Sequence, residues 1–426
     1  MSVDSRAFRL ALLTSAAAAL TACGGGGSTS ASSSPPPPPP TANVAAMIVD
    51  GGPVVNGMPI GTINQAYVTI TVCIPGTSTC QNIDHVWVDT GSAGLRLITS
   101  AFTSQLPASM QGTDTVANCV QFVSSYSWGA VRTADVKISG ESAASVPIQV
   151  IGDSTVPATA PTSCSNGTSA LNTAAQLGAN GLLGVGVFLQ DCGPGCQAPN
   201  AAPPGFYYTC PAGTCSPVNM APSAQLQNVV GLFGPVNGAS DNNGVLIQLP
   251  SLPASGMVTA SGSLIFGIGT RSNNALGTAV VFAVGPTTGF IQTTTTFPGS
   301  DMSEPASYID SGSNGFFFND SNITQCTGTS AGFFCPSSTM SLSATMLPYN
   351  TPLNTTSHTY SFSIADVQTL SGNAFNNIGG PAGACSSAGC TFDWGLPFFY
   401  GRSVFTAVEG TTITGNAGPF FAASTP

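Results

Sequence analysis

The sequence predicts an all-β chain built from two related halves, and three observations carry that prediction. Charged residues make up only 6% of the 426, so the Glu, Lys and Arg that normally coat helix surfaces are scarce. The apolar residues fall in short Val/Ile/Thr-rich runs broken by Gly, Pro and Asn, which is the pattern of strands and turns. One segment around an aspartate also occurs twice: Val86-Trp87-Val88-Asp89-Thr90-Gly91-Ser92 and Tyr308-Ile309-Asp310-Ser311-Gly312-Ser313.

Taken in chain order, residues 1–22 carry Arg6 and Arg9, an apolar stretch from Phe8 to Leu20, and the run Leu20-Thr21-Ala22 before Cys23. This resembles a bacterial lipobox, and the apolar stretch is too short to span a bilayer. The expectation is a lipoprotein signal peptide over 1–22, with Cys23 as the acylated first residue of the exported chain. Gly24 follows where an aspartate would favour inner-membrane retention, so the expected location is the cell envelope at the outer membrane. Residues 23–46, rich in Gly and Ser and with a run of six prolines, read as a spacer. The two halves are then expected at 47–270 and 271–426.

Within them, strands are predicted at 66–74, 83–88, 134–138, 146–151, 264–268 and 279–284. The first two form a hairpin that delivers Asp89 to a strand end. Twelve cysteines remain after Cys23, an even number that implies disulfides in an exported chain. Close neighbours are Cys73 with Cys80, Cys210 with Cys215, Cys326 with Cys335 and Cys385 with Cys390. Pairing among Cys192, Cys196, Cys210 and Cys215 stays open. With no histidine nearby, bridges are favoured there over zinc.

The repeat extends past the aspartates. Gly181-Leu182-Leu183-Gly184 follows Asp89, and Phe392-Asp393-Trp394-Gly395 follows Asp310 at comparable distance. Duplicated segments fold into related lobes that face one another. Such lobes would bring two carboxyls together, and two carboxyls that share one proton can divide the work of hydrolysis: one activates water and the other donates. The neighbours suit that task. Thr90 and Ser311 supply hydroxyls that can bridge the loops, Ser92 and Ser313 supply more, and Gly91 and Gly312 let backbone approach the carboxylates.

On these residues the chain resembles the pepsin-like aspartic proteases, over about residues 60–410. It is also similar to a set of bacterial lipoproteins known only as domains of unknown function. The resemblance implies a bilobal pepsin-like fold with lobes related by a pseudo-twofold. It further implies catalytic Asp89 and Asp310, a peptide or unfolded-protein substrate, and no cofactor or metal. Gly262 to Gly267 looks like the family's interlobe strand. Residues 122–140 stand where the family has its flap, with Tyr126 and Trp128 as the tip. Three departures stand out: Ser311 replaces threonine, the flap lacks the Tyr-Gly-x-Gly start, and Asp393 puts a charge where the second crossing segment is apolar in the family.

Other chemistries fit less well. A net charge of -10 with seven basic residues leaves nothing to neutralise a nucleic-acid backbone. The two histidines, His85 and His358, accompany no Gly-x-Ser-x-Gly elbow. Lys137, the sole lysine, alternates outward between Val136 and Ile138. Gly181 to Leu189 lacks the Gly-Lys-Ser/Thr of a phosphate loop and reads as a buried strand. The competing expectation is a binding or structural lipoprotein on the same fold, holding a ligand without cutting it.

Overall fold

The structure, a computed structural model, describes residues 42–122, 124–197, 203–349 and 356–425. The expected signal peptide, Cys23 and most of the spacer lie outside these residues. Strand makes up 42% of the described residues. The α-helices among the described residues are two single turns, Thr162–Ser165 and Ala174–Leu177. None is long and apolar enough to cross a membrane.

The hairpin expected at the start of the first half is present. Ala66–Cys73 pairs antiparallel with Cys80–Asp89, from Tyr67 opposite Trp87 to Cys73 opposite Cys80, and the Cys73–Cys80 disulfide closes its loop. Val68, Ile70 and Val72 alternate into the core, as β-branched residues do on a half-buried sheet. The next strand, Ala93–Ile98, is buried on both faces. The reason is the crossing segment Gly181–Val185, which inserts beside it: parallel to Cys80–Asp89, with Gly184 opposite Asp89, and antiparallel to Ala93–Ile98. Leu182 and Leu183 are almost wholly buried there. Each contributes about 2–3 kcal/mol of hydrophobic stabilisation.

The second half repeats this arrangement. Asp393–Trp394 lies parallel to Glu304–Ile309 and antiparallel to Phe316–Phe317. Asp393 therefore occupies the position that Leu182 holds in the first half, and Phe317 the position of Arg96. Around Trp394 an aromatic cluster of Phe316, Tyr360, Phe362, Phe392 and Phe398 fills the core of this half.

A continuous antiparallel sheet joins the halves. Its order runs from Val280–Ala283 through Phe420–Ala423, Ser403–Ala407, Gly244–Gln248 and Ala260–Phe266 to Val44–Val49. Its first three strands come from the second half and the other three from the first. The strand expected from the glycine-containing segment near 262–267 is central to this sheet. Val44–Val49 alternates Ala45, Met47 and Val49 into the core and starts slightly before residue 47. These pairings make the chain all-β, with two related halves joined by a shared sheet.

Six disulfides use all twelve described cysteines. In the pairing left open by the sequence, Cys192 joins Cys196 and Cys210 joins Cys215. Cys119–Cys164 is the long-range bridge, at a separation of 45 residues. Such a framework belongs to an exported protein.

Candidate active site

Asp89 ends its strand and Asp310 immediately follows the other, so each carboxyl sits at the first residue of a tight turn. The two turns are built alike. The Gly91 N–H donates to Asp89 Oδ1 at 2.7 Å, and the Gly312 N–H donates to Asp310 Oδ1 at 2.7 Å. Ser92 Oγ donates to Asp89 Oδ2 at 2.5 Å, and Ser313 Oγ donates to Asp310 Oδ2 at 2.9 Å. Each aspartate is thereby held at both oxygens by its own loop.

The loops also hold each other. The Thr90 N–H donates to Ser311 Oγ at 3.1 Å, and the Ser311 N–H donates to Thr90 Oγ1 at 2.9 Å. In turn Thr90 Oγ1 donates to the Ile309 carbonyl at 3.0 Å, and Ser311 Oγ to the Val88 carbonyl at 2.8 Å. Four hydrogen bonds across the interface, all buried, fix the separation of the two aspartates. The glycines permit the approach. A Cβ on Gly91 would stand 2.8 Å from Asp310 Oδ1, and one on Gly312 would stand 2.5 Å from Asp89 Oδ1. No side chain fits at either place.

Each carboxyl stands against the glycine of the opposite loop, which brings the two together. Asp89 is 6% exposed and Asp310 9%, so the pair meets the outside only through the cleft above it. Burial, and then the like charge of Asp310, push Asp89 up to about 7, against the opposing pull of the Ser92 hydroxyl and the Gly91 N–H. A pair in this state holds a proton at mildly acidic pH. Tyr308 beside it is held above its ordinary range by burial and by the charges of Asp393, Asp310 and Asp89.

The cleft encloses about 400 Å³. Its walls are mainly apolar: Trp87, Leu171, Leu177 and Leu182 from the first half, and Phe290, Tyr308 and Phe421 from the second. Val120, Gln121 and Phe122 reach it from the hairpin of Asp114–Gln121 and Ser125–Ile138. That hairpin occupies the expected flap position, but Tyr126 and Trp128 are not its tip. Tyr126 pairs with Gln121 beside the turn, and both rings are buried in a satellite core with Tyr208 and the Cys119–Cys164 bridge. Trp128 packs edge-on against Tyr208 and its indole N–H donates to the Pro157 carbonyl at 2.7 Å. Burial of two large rings outweighs their display at a loop, and Phe122 takes the cleft position.

One part of the wall was not foreseen. Arg96, 1% exposed, pairs with the buried Asp191 at 3.4 Å and donates to the Ala93 carbonyl at 2.9 Å. Asp191 also accepts from Tyr207 Oη at 2.5 Å and Asn118 Nδ2 at 3.1 Å. His85 and His358 lie outside the cleft lining, Lys137 is exposed, and the described groupings of metal-binding residue types consist of disulfide cysteines with a single aspartate each.

Fold and site together define an all-β, two-lobed protein with a buried aspartate pair at the base of an interlobe cleft. The chain belongs to the family described as "Protein of unknown function (DUF3443)", whose model matches residues 39–423. Among solved structures it is similar to the aspartic proteinase from Irpex lacteus, at 15% identity and a TM-score of 0.49, over 90% of this chain and 96% of that one. So distant a likeness carries no argument about activity. No curated protein matches the chain in sequence.

Proposed function

We propose that the chain is an aspartic-type endopeptidase in which Asp89 and Asp310 share one proton and activate water for attack on a peptide carbonyl. The observation that carries this reading is the reciprocal construction of the pair, with each carboxyl held by its own glycine and serine and both loops locked by Thr90 and Ser311. The protonated carboxyl donates to the carbonyl oxygen while the ionised one takes the proton of the attacking water. Collapse of the tetrahedral diol then returns a proton to the leaving amine. The apolar cleft suits hydrophobic side chains of an unfolded protein or peptide.

The test is digestion of unfolded protein and peptide libraries from pH 3 to pH 8, with and without a statine-type transition-state analogue. Cleavage should be blocked by the analogue and should fall by at least about a thousandfold in Asp89→Asn and in Asp310→Asn. Peptide binding without cleavage by the unaltered protein would sink this reading in favour of a binding lipoprotein. Full activity in both variants would sink it as well.

We also propose that the chain is lipid-anchored through Cys23 in the cell envelope, at the outer membrane. The Leu-Thr-Ala-Cys run and the disulfide framework support this. Metabolic labelling with a fatty acid should mark the wild type and not Cys23→Ser; equal labelling of the two would refute the anchor.

A further inference from the structure

The two halves of the site match atom for atom near the carboxyls and differ one layer behind them. Behind Asp89 the crossing segment places Leu182, opposite Trp87. Behind Asp310 the equivalent position is Asp393, opposite Tyr308 and Phe317. Asp393 is 0% exposed, and neither carboxyl oxygen has a hydrogen-bond partner within 3.5 Å among the described residues. It does not line the cleft, so no substrate touches it.

An unpartnered carboxyl in a core is costly, above all when ionised. The position itself does not demand one, since leucine serves at the equivalent place in the other half. The groups that face Asp393 are those of the site: Asp310 first, then Asp89, with the Tyr308 phenol on the paired strand. Ser313 ties the Asp310 loop to the end of this crossing segment: its hydroxyl donates to Asp310 Oδ2 at 2.9 Å and its carbonyl accepts the Leu396 N–H at 2.7 Å.

We propose that Asp393 is a third carboxyl of the site, a positioning residue that lies on the strand bonded to Asp310 and makes the two aspartates of the pair chemically unequal. This rests on reading the pair as a working site and goes beyond it, because the two loops by themselves are equivalent. Burial, then the charge of Asp310, hold Asp393 well above the ordinary carboxyl range. The interaction is mutual, so the pair feels Asp393 as Asp393 feels the pair. Three coupled carboxyls release their protons one after another, and the last release is displaced to higher pH than a lone pair would give.

The experiment is a carbon-13 NMR titration of the full chain carrying labelled aspartate, in wild type, Asp393→Asn and Asp393→Leu. Leucine at 393 copies the other half, so one of the two substitutions at 393 is expected to fold. In either of them the upper apparent pKa of the Asp89/Asp310 pair should move toward acid by about half a unit or more. Where the protein cleaves peptide, the alkaline limb of its rate profile should move with the titration. Titrations of the pair unchanged in every variant overturn the proposal, whether or not the wild type cleaves anything. A shifted titration in a protein without cleavage supports it and sinks the endopeptidase reading alone.

Discussion

Thr90 and Ser311 hold one another's backbone: each side-chain oxygen accepts the other residue's N–H and donates to a carbonyl on the opposite loop. The four groups are buried, so loss of one hydroxyl orphans an N–H and a carbonyl together. Thr90→Val, which keeps the shape, should destabilise the protein by about 2–4 kcal/mol, and Ser311→Ala should cost a similar amount. Denaturant unfolding measures this. A cost under about 0.5 kcal/mol in both would mean that the aspartate spacing is fixed by something else.

The glycines at 91 and 312 make a sharper test of geometry. In Gly312→Ala the new methyl collides with Asp89 Oδ1, and in Gly91→Ala with Asp310 Oδ1. Both carboxyls are tied to their own loops, so the loops must separate to accommodate it. Each variant should lose at least about a hundredfold in any peptide hydrolysis, since a displacement near 1 Å at a reacting centre has that effect. Its far-UV circular dichroism should remain that of the wild type. Activity within a few-fold of wild type would show that the pair does not need close contact.

Stability should fall as pH rises from about 4 to about 7. Asp89 and the buried Glu304 are both pushed up to about 7, the first by burial and Asp310, the second by burial and Asp301 against the Thr295 hydroxyl. Their folded forms hold protons that the unfolded chain releases from its ordinary values near 4. The stability is therefore full below those ordinary values and is lost as pH climbs toward the raised ones, at about 1.4 kcal/mol per pH unit for each group. Unfolding free energies at pH 4.5 and pH 7.5 check the sign. Asp89→Asn and Glu304→Gln should each flatten the slope. A wild type more stable at pH 7.5 would contradict both assignments.

What the sequence could disclose follows from how locally each feature is encoded. The loops at Asp89 and Asp310 were legible because their close pairing needs a hydroxyl and a glycine next to the aspartate, and those residues are contiguous. The crossing segments were legible by repetition, and the charge of Asp393 stood out as a departure, although its burial did not. Tyr126 and Trp128 were misplaced because a hairpin's register fixes which residues turn but not which rings find a core. Their core partner Tyr208 lies far along the chain, as do the cysteines of Cys119–Cys164. Arg96 gave no signal, since its partner Asp191 is 95 residues away and nothing near either residue marks the pairing.

That pair supplies the last test. Arg96 stands where the other half has Phe317, so the fold does not require a charge there. Asp191 is held by Tyr207 and Asn118 as well as by Arg96, and the Leu226 N–H donates to Tyr207 Oη at 2.6 Å, which ties the network to the loop after the crossing segment. Removing one partner leaves a buried charge without its counter-ion. Arg96→Met and Asp191→Asn should therefore each cost about 3–5 kcal/mol, while the double variant should cost clearly less than their sum. A double-mutant cycle from denaturant unfolding measures the coupling. Additive losses would mean that each side chain acts through its other hydrogen bonds. A coupling of 2 kcal/mol or more, on the order seen for contacting buried groups, would identify the ion pair as the brace of the cleft wall on the Asp89 side.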